Sequence, residues 1–129
     1  MGRIIILVTV SNTVESEKSF RFDAMVDTGV TYLTLPDAWK ERLGDLEKIE
    51  NVDFQTANGE IGTGAVHGPV RIQLEGFRPI FSEVLFIEMR TNKEGNYEPL
   101  VGYIPLEQIP VAVDMLGHRL VKVRAVDLK

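Results

Sequence analysis

The chain has 129 residues, of which 44% are apolar and 26% are charged, which fits one globular domain over residues 1–129 with its own core. It contains no cysteine, which excludes thiolate metal sites and thiol catalysis. Its 14 basic and 19 acidic residues give a net charge of −5, which argues against partners such as nucleic acid or an anionic membrane.

The first predicted elements are two strands. The longest apolar run, residues 4–8, is too short for a membrane span of about 20 residues or for the core of a signal peptide. The β-branched residues over 3–10 favour a strand instead. Residues 20–26 alternate apolar and polar side chains, which predicts a second strand with one face in the core. We therefore expect no membrane association, and together with the lack of cysteine this points to the cytoplasm.

Residues 36–44 predict a helix of about two turns. Pro36 suits the start of a helix, and Gly44 suits a left-handed cap at its end. Trp39 and Leu43 lie one turn apart, so they are expected to pack on the core from one face of this helix.

The rest of the chain predicts mainly strands. Residues 52–56 and 60–66 predict a hairpin, because Asn58 and Gly59 between them suit a two-residue type I′ turn. A polar loop is predicted over 90–98, and Pro110 ends a predicted helical turn. The helical turn covers 104–109, and the remaining predicted strands are 70–74, 80–87, 111–113 and 120–126.

Asp27, Thr28 and Gly29 directly follow the second predicted strand. A carboxylate at a strand end is held by the sheet and exposed at the turn. The threonine hydroxyl can bond to the backbone or to a partner copy, and the glycine leaves room for a substrate or a water. All three are also common turn residues, so the tripeptide alone is more often an ordinary turn that ends a strand.

Several segments, taken in order, resemble the clan of aspartic proteases that includes retroviral proteases and their small bacterial and archaeal relatives. The first is an apolar strand leading into Asp-Thr-Gly, and the second is Leu-Val-Gly before a late helix. The third is the C-terminal pattern of the small prokaryotic members. The segments are 22–29 with 31–36, then 100–102, and then 103–107, 111–114 and 119–121. The resemblance implies an all-β, retropepsin-like closed or semi-closed barrel with one or two short helices.

The resemblance also implies a function, namely an aspartic endopeptidase that needs no cofactor. In this chemistry two carboxylates share one proton and activate a water for peptide hydrolysis. Asp27 is then the catalytic residue, and Thr28 and Gly29 support the active site. Because the sequence has one Asp-Thr-Gly, we expect a homodimer in which each protomer supplies one Asp27. Its substrate is expected to be a peptide or an unfolded protein.

The predicted hairpin is, by the same resemblance, a candidate for a mobile flap that closes over the substrate. Without the resemblance, a plain surface hairpin is an equally good interpretation. The residues assigned to substrate binding and to the flap are Val30, Asn58, Gly59, Glu60, Ile61 and Gly62.

Val30 departs from the family pattern, which usually has alanine or serine after Asp-Thr-Gly. Valine adds bulk beside the carboxylate and offers no hydroxyl. It therefore supports an alternative function, a non-catalytic module of the same fold that dimerises or binds peptides. A third interpretation is a small barrel that binds an unrelated ligand away from Asp27. No metal site is expected, because neither His67 nor His118 has a second ligand at metal spacing.

Overall fold

The computed structural model describes residues 3–56 and 58–123, which form nine strands, one 3₁₀ helix and one α-helix. No helix in this part of the chain is long and apolar enough to cross a membrane. The elements are β1 (Ile5–Asn12), β2 (Ser19–Val26), β3 (Leu33–Pro36), the 3₁₀ helix (Asp37–Leu43), β4 (Glu47–Gln55), β5 (Ile61–Leu74), β6 (Ile80–Ile87), β7 (Leu100–Val101), α1 (Tyr103–Gln108), β8 (Val111–Asp114) and β9 (Arg119–Lys122).

Six of these strands close into a barrel. Their order is β1, β2, β7, β3, β6 and β5, and β5 pairs again with β1. The closing pairing is antiparallel and runs from Val8 opposite Leu74 to Asn12 opposite Val70. The first strand of the hairpin, β4, lies outside this ring and pairs with β5. The prediction of an all-β barrel with one or two short helices is therefore confirmed.

The core fills the inside of this barrel. Alternation along β2 places Phe22 and Ala24 inside, while Arg21 and Asp23 are exposed, as the period of two predicts. Side chains that are completely buried come from most strands of the ring: Val8, Val10, Leu33, Leu35, Val70, Ile72, Leu74, Val84 and Val101. Because these side chains come from strands far apart in sequence, the core fixes the relative positions of the strand ends that carry the site.

One prediction in the middle of the chain was wrong. The segments 60–66 and 70–74, expected as two strands, form the single strand β5. An irregularity in the pairing with β6 between His67 and Val70 lets the strand bend and continue. Its first part pairs with β4 and its last part with β1, so one strand serves both the hairpin and the barrel.

The hairpin itself is confirmed, but its loop is longer than the two-residue turn expected. Thr56 donates its N–H to the carbonyl of Glu60 at 2.8 Å, and Gly59 donates to Thr56 at 2.9 Å. Three residues therefore separate the last bonded pair. Gly59 has a φ of 83°, a conformation that glycine adopts without strain.

The helix predicted over 36–44 is a 3₁₀ helix, from Asp37 to Leu43. Gly44 follows it with a φ of 69° and donates its N–H to Glu41 at 3.1 Å. This bond spans three residues, which is typical of the tighter winding that short helices adopt. The late helix and the C-terminal strands also form, as α1, β8 and β9, and residues 124–126 of the last predicted strand lie outside the described residues.

Candidate active site

Asp27 lies in the turn after β2, where backbone bonds hold it on both sides. Its N–H donates to the carbonyl of Val101 in β7 at 3.0 Å, and its carbonyl accepts the N–H of Val30 at 3.2 Å. Its side chain is half-buried, and Oδ1 accepts the N–H of Gly29 at 2.9 Å. The carboxylate is therefore oriented by its own turn, and the turn is fixed to the barrel.

Thr28 and Gly29 are both exposed in this turn. A Cβ at position 29 would lie 3.1 Å from Oδ1 of Asp27, which is closer than ordinary van der Waals contact. The absence of a side chain at Gly29 thus leaves the Asp27 carboxylate uncrowded.

The loop that follows this turn rests on the start of α1. Three consecutive N–H groups of the segment after β7 donate to three consecutive carbonyls of the loop. A Cβ at Gly102 would lie 2.6 Å from backbone atoms of all three loop residues, 30–32, so only glycine allows this approach. The bonds join Gly102 to Tyr32 (3.1 Å), Tyr103 to Val30 (2.9 Å) and Ile104 to Thr31 (3.0 Å).

A cavity of about 560 Å³ opens beside this loop, between the loop and β4. Its size is typical of ligand pockets. Its lining is mainly apolar, with polar groups such as Thr34 and Asp53 among the apolar side chains. The main apolar contributions come from Val30, Val52, Phe54, Leu85, Ile87 and Leu100. The arrangement can accept an apolar side chain next to the turn that carries Asp27.

The predicted site residues line three different cavities. Gly29 and Val30 line the large one, whereas Asp27 and Thr28 line a smaller one of about 220 Å³. The predicted hairpin residues, except Gly59, line a third cavity of about 460 Å³, between the hairpin and residues 87–90. They are Asn58, Glu60, Ile61 and Gly62.

The hairpin strand that faces the Asp-Thr-Gly loop across the large cavity is therefore β4. Its residues were not predicted from the sequence to belong to the site. Val52 and Phe54 are the two apolar residues of the segment 51–56 and alternate with polar ones. That alternation was a signal for a buried face. It did not indicate which part of the protein the face would contact.

The comparisons with known proteins agree with this geometry. A model of the aspartyl protease family matches residues 10–103, well over half of the chain. The chain belongs to the aspartyl protease family. Among solved structures it is similar to the EIAV protease complexed with the inhibitor HBY-793, with a TM-score of 0.64 and 17% sequence identity. That match covers 88% of this chain and 94% of the EIAV chain and shows a retropepsin-like fold. No curated protein matches the chain.

The stretch matched by the aspartyl protease model contains two of the three segments that carried the resemblance, and the C-terminal pattern lies beyond it except for residue 103. These are the Asp-Thr-Gly turn, 27–29, and the late Leu-Val-Gly segment, 100–102. The structure joins them through the bond from Asp27 to Val101 and the contacts of Gly102. The family prediction is confirmed, and the two segments form one structural unit.

Tyr32 lies in the cleft of this aspartyl protease family member. Burial raises the pKa of its phenol, and the negative charges of Glu83 and Glu50 raise it further. Tyr32 lines the large cavity, so its hydroxyl is a neutral group that can donate a hydrogen bond there.

The two histidines lie elsewhere. His67 is buried in β5 with its ring 5.5 Å from that of Phe86, and His118 is exposed in the turn between β8 and β9. Among residues 3–56 and 58–123, no three His, Asp or Glu side chains come together in a way that could hold a metal ion.

Proposed function

We propose that this protein is a homodimeric aspartic endopeptidase that cleaves peptides or unfolded protein segments in the cytoplasm. The observation that supports this is the position of Asp27: a half-buried carboxylate, oriented by the N–H of Gly29, in a turn beside a mainly apolar cleft. The sequence contains one Asp-Thr-Gly, so a pair of such carboxylates requires two copies of the chain.

In the proposed dimer the two Asp27 side chains share one proton. Two carboxylates about 3 Å apart do not both ionise, because their charges repel in a partly desolvated site. The ionised Asp27 takes a proton from a water, and the water oxygen attacks the peptide carbonyl carbon. The other Asp27 gives its proton to the carbonyl oxygen. The tetrahedral intermediate then collapses: the C–N bond breaks and the amine leaves with a proton from the dyad. One hydroxyl of the intermediate returns its proton to the dyad, and a carboxylic acid remains.

The other predicted site residues have supporting roles in this proposal. Thr28, exposed beside Asp27, holds the two turns together across the two-fold axis, and Gly29 keeps space at the carboxylate. The β4–β5 hairpin, with residues 58–62 at and after its tip, covers the bound peptide and excludes water. An extended peptide fits such a cleft as an added strand.

The test is cleavage of a randomised peptide mixture, followed by mass spectrometry. Asp27→Asn should abolish cleavage, and a statine-type inhibitor should block the wild type. The specific activity should rise with protein concentration, because the monomer holds half of the site. Asp23→Asn is the matched control, since Asp23 is an exposed acid in β2, the strand that leads into Asp27. Activity that survives Asp27→Asn would refute the proposal.

A non-catalytic module that dimerises or binds peptides is the second candidate, and Val30 is the observation that favours it. Its branched side chain lines the large cavity directly after the Asp-Thr-Gly turn. If the wild type and Val30→Ala both bind statine-type peptides in calorimetry but cleave no peptide, the module is the better assignment.

A further inference from the structure

Two glycines near the start of β5 leave a short part of one face of this strand without side chains of its own. Gly62 and Gly64 are two residues apart in the strand, so they share a face. A Cβ at Gly62 would lie within 3.0 Å of three ring carbons of Phe54. A Cβ at Gly64 would lie 2.8 Å from Cγ2 of Ile87 and 2.9 Å from Cδ1 of Leu85. The space above both glycines is thus filled from neighbouring strands.

Phe54 is the hairpin residue whose side chain fills the space above Gly62. It stands directly opposite Gly62 in the β4–β5 register, and its ring covers that glycine. Its half-buried side chain lines both the cavity beside the Asp-Thr-Gly loop and the cavity beneath residues 58–63. Phe54 is therefore part of the wall between two cavities of about 560 and 460 Å³.

Ile87 and Thr56 also line both cavities, but they differ from Phe54 in size or in setting. Ile87 belongs to a barrel strand, β6, which pairs on both sides. Thr56 is small, and it is held in the hairpin loop by its bonds to Glu60. Phe54 is the one large aromatic group among the three, so removing its ring opens the wall most.

We infer that Phe54 determines which substrate side chains this cleft accepts. This inference rests on the proposed endopeptidase function and names a specificity residue within it. With the ring lying on Gly62, the two cavities stay separate and the apolar cavity favours aliphatic side chains. Without the ring, the two cavities join and large aromatic side chains fit, because a missing core ring leaves space that a larger ligand can fill.

The experiment begins with the peptide that the wild type cleaves best in a randomised mixture. Four versions of it carry Ala, Leu, Phe or Trp at each position that flanks the scissile bond, and kcat/KM is measured for each. In Phe54→Ala the ratio of kcat/KM for Trp over Leu should rise about tenfold at one of these positions, the scale of discrimination that an apolar pocket provides. Phe54→Leu, which preserves an apolar wall, should shift the ratio less.

Phe81→Ala is the matched control. Phe81 is an aromatic residue in β6, its side chain is 59% exposed, and it lines neither of the two cavities. It should leave the ratio unchanged.

A second variant tests the position of the ring rather than its presence. In Gly62→Ala the new methyl group displaces the Phe54 ring. The ratio of kcat/KM for Trp over Leu should therefore change when this substitution is made in the wild type, which retains Phe54. In the double variant Phe54→Ala with Gly62→Ala, the second substitution should change the ratio less than it does in the presence of Phe54, because no ring remains to be displaced. Such coupling is not expected from a general loss of folding.

The outcomes separate this inference from the proposed function. If the wild type cleaves peptides but Phe54→Ala lowers kcat/KM for all four side chains equally, the inference is wrong and the endopeptidase remains. If the wild type cleaves none of the peptides in the mixture, the proposed function fails and takes the inference with it.

Discussion

Gly102 holds the Asp-Thr-Gly turn and the loop after it in place by having no side chain. Its backbone contacts all of residues 30–32, and Val101 beside it accepts the N–H of Asp27. In Gly102→Ala a methyl group would meet backbone atoms that cannot move independently of the barrel. We expect a loss of about 3 kcal/mol in the free energy of unfolding, at the upper end for overpacking, measured in urea.

Gly76→Ala is the control for this prediction. Gly76 has a φ of 91°, but no atom lies within 4 Å of a Cβ built there. Gly76→Ala should lower the free energy of unfolding by about 1 kcal/mol, because it only places a residue with a side chain at a positive φ. Equal losses in the two variants would show that the close approach at Gly102 contributes nothing.

His67 makes the stability depend on pH. Burial lowers its pKa below the ordinary value of 6.5, and Lys40 and Lys48 lower it further, although a hydrogen bond with Ala65 opposes this. As the pH falls below about 6.5, the unfolded chain takes up a proton at His67 before the folded chain does. The free energy of unfolding therefore decreases as the pH decreases. The urea midpoint should therefore drop between pH 7 and pH 5, and His67→Leu should reduce this drop. An unchanged pH dependence in His67→Leu would contradict the assignment.

At the scale of elements, we expect the β4–β5 hairpin to open more readily than the strands of the closed barrel. The barrel closes without β4, which pairs with β5 on one side and has mostly exposed side chains. Backbone hydrogen bonds near solvent open more readily than those of a core strand. Amides of β4 should exchange with deuterium faster than those of β1, and a bound statine-type inhibitor should slow this exchange. Equal protection of β4 and β1 in the free protein would rule out a mobile flap.

An element could be predicted from the sequence where neighbouring residues determine its bounds, and not where residues far away in the chain determine them. The strand β6 has the predicted bounds, because the turn residues Glu75 and Gly76 come before it and the polar stretch 90–98 comes after it. The continuity of β5 could not be predicted, since Gly68 and Pro69 are typical of a break. Pairing with β4, β6 and β1 keeps that strand together, and those partners lie elsewhere in the sequence.

At the scale of the whole molecule, the sequence pattern indicated the Asp-Thr-Gly turn as a candidate site but not its surroundings. The sequence could point to Asp27 as a candidate and to Gly102 as part of a motif, because each belongs to a short motif at a strand end. The contact between β4 and the Asp-Thr-Gly loop depends on closure of the barrel between β1 and β5, about 60 residues apart in the chain. No local periodicity specifies such a pairing, so Phe54 and Tyr32 emerged only from the fold.

The proposed dimer makes a prediction about the turn between β8 and β9. Leu116 in this turn is 96% exposed, and Met115 beside it lines the same small cavity as Asp27. An exposed apolar pair so close to Asp27 is expected to be covered by the second copy. Leu116→Asp should raise the dimer dissociation constant at least about tenfold in sedimentation velocity, with activity restored at high protein concentration. Val14→Asp is the control, because Val14 is also highly exposed, at 88%. It precedes the start of β2, whereas Asp27 follows the end of that strand. An intact, active Leu116→Asp dimer would place the interface elsewhere.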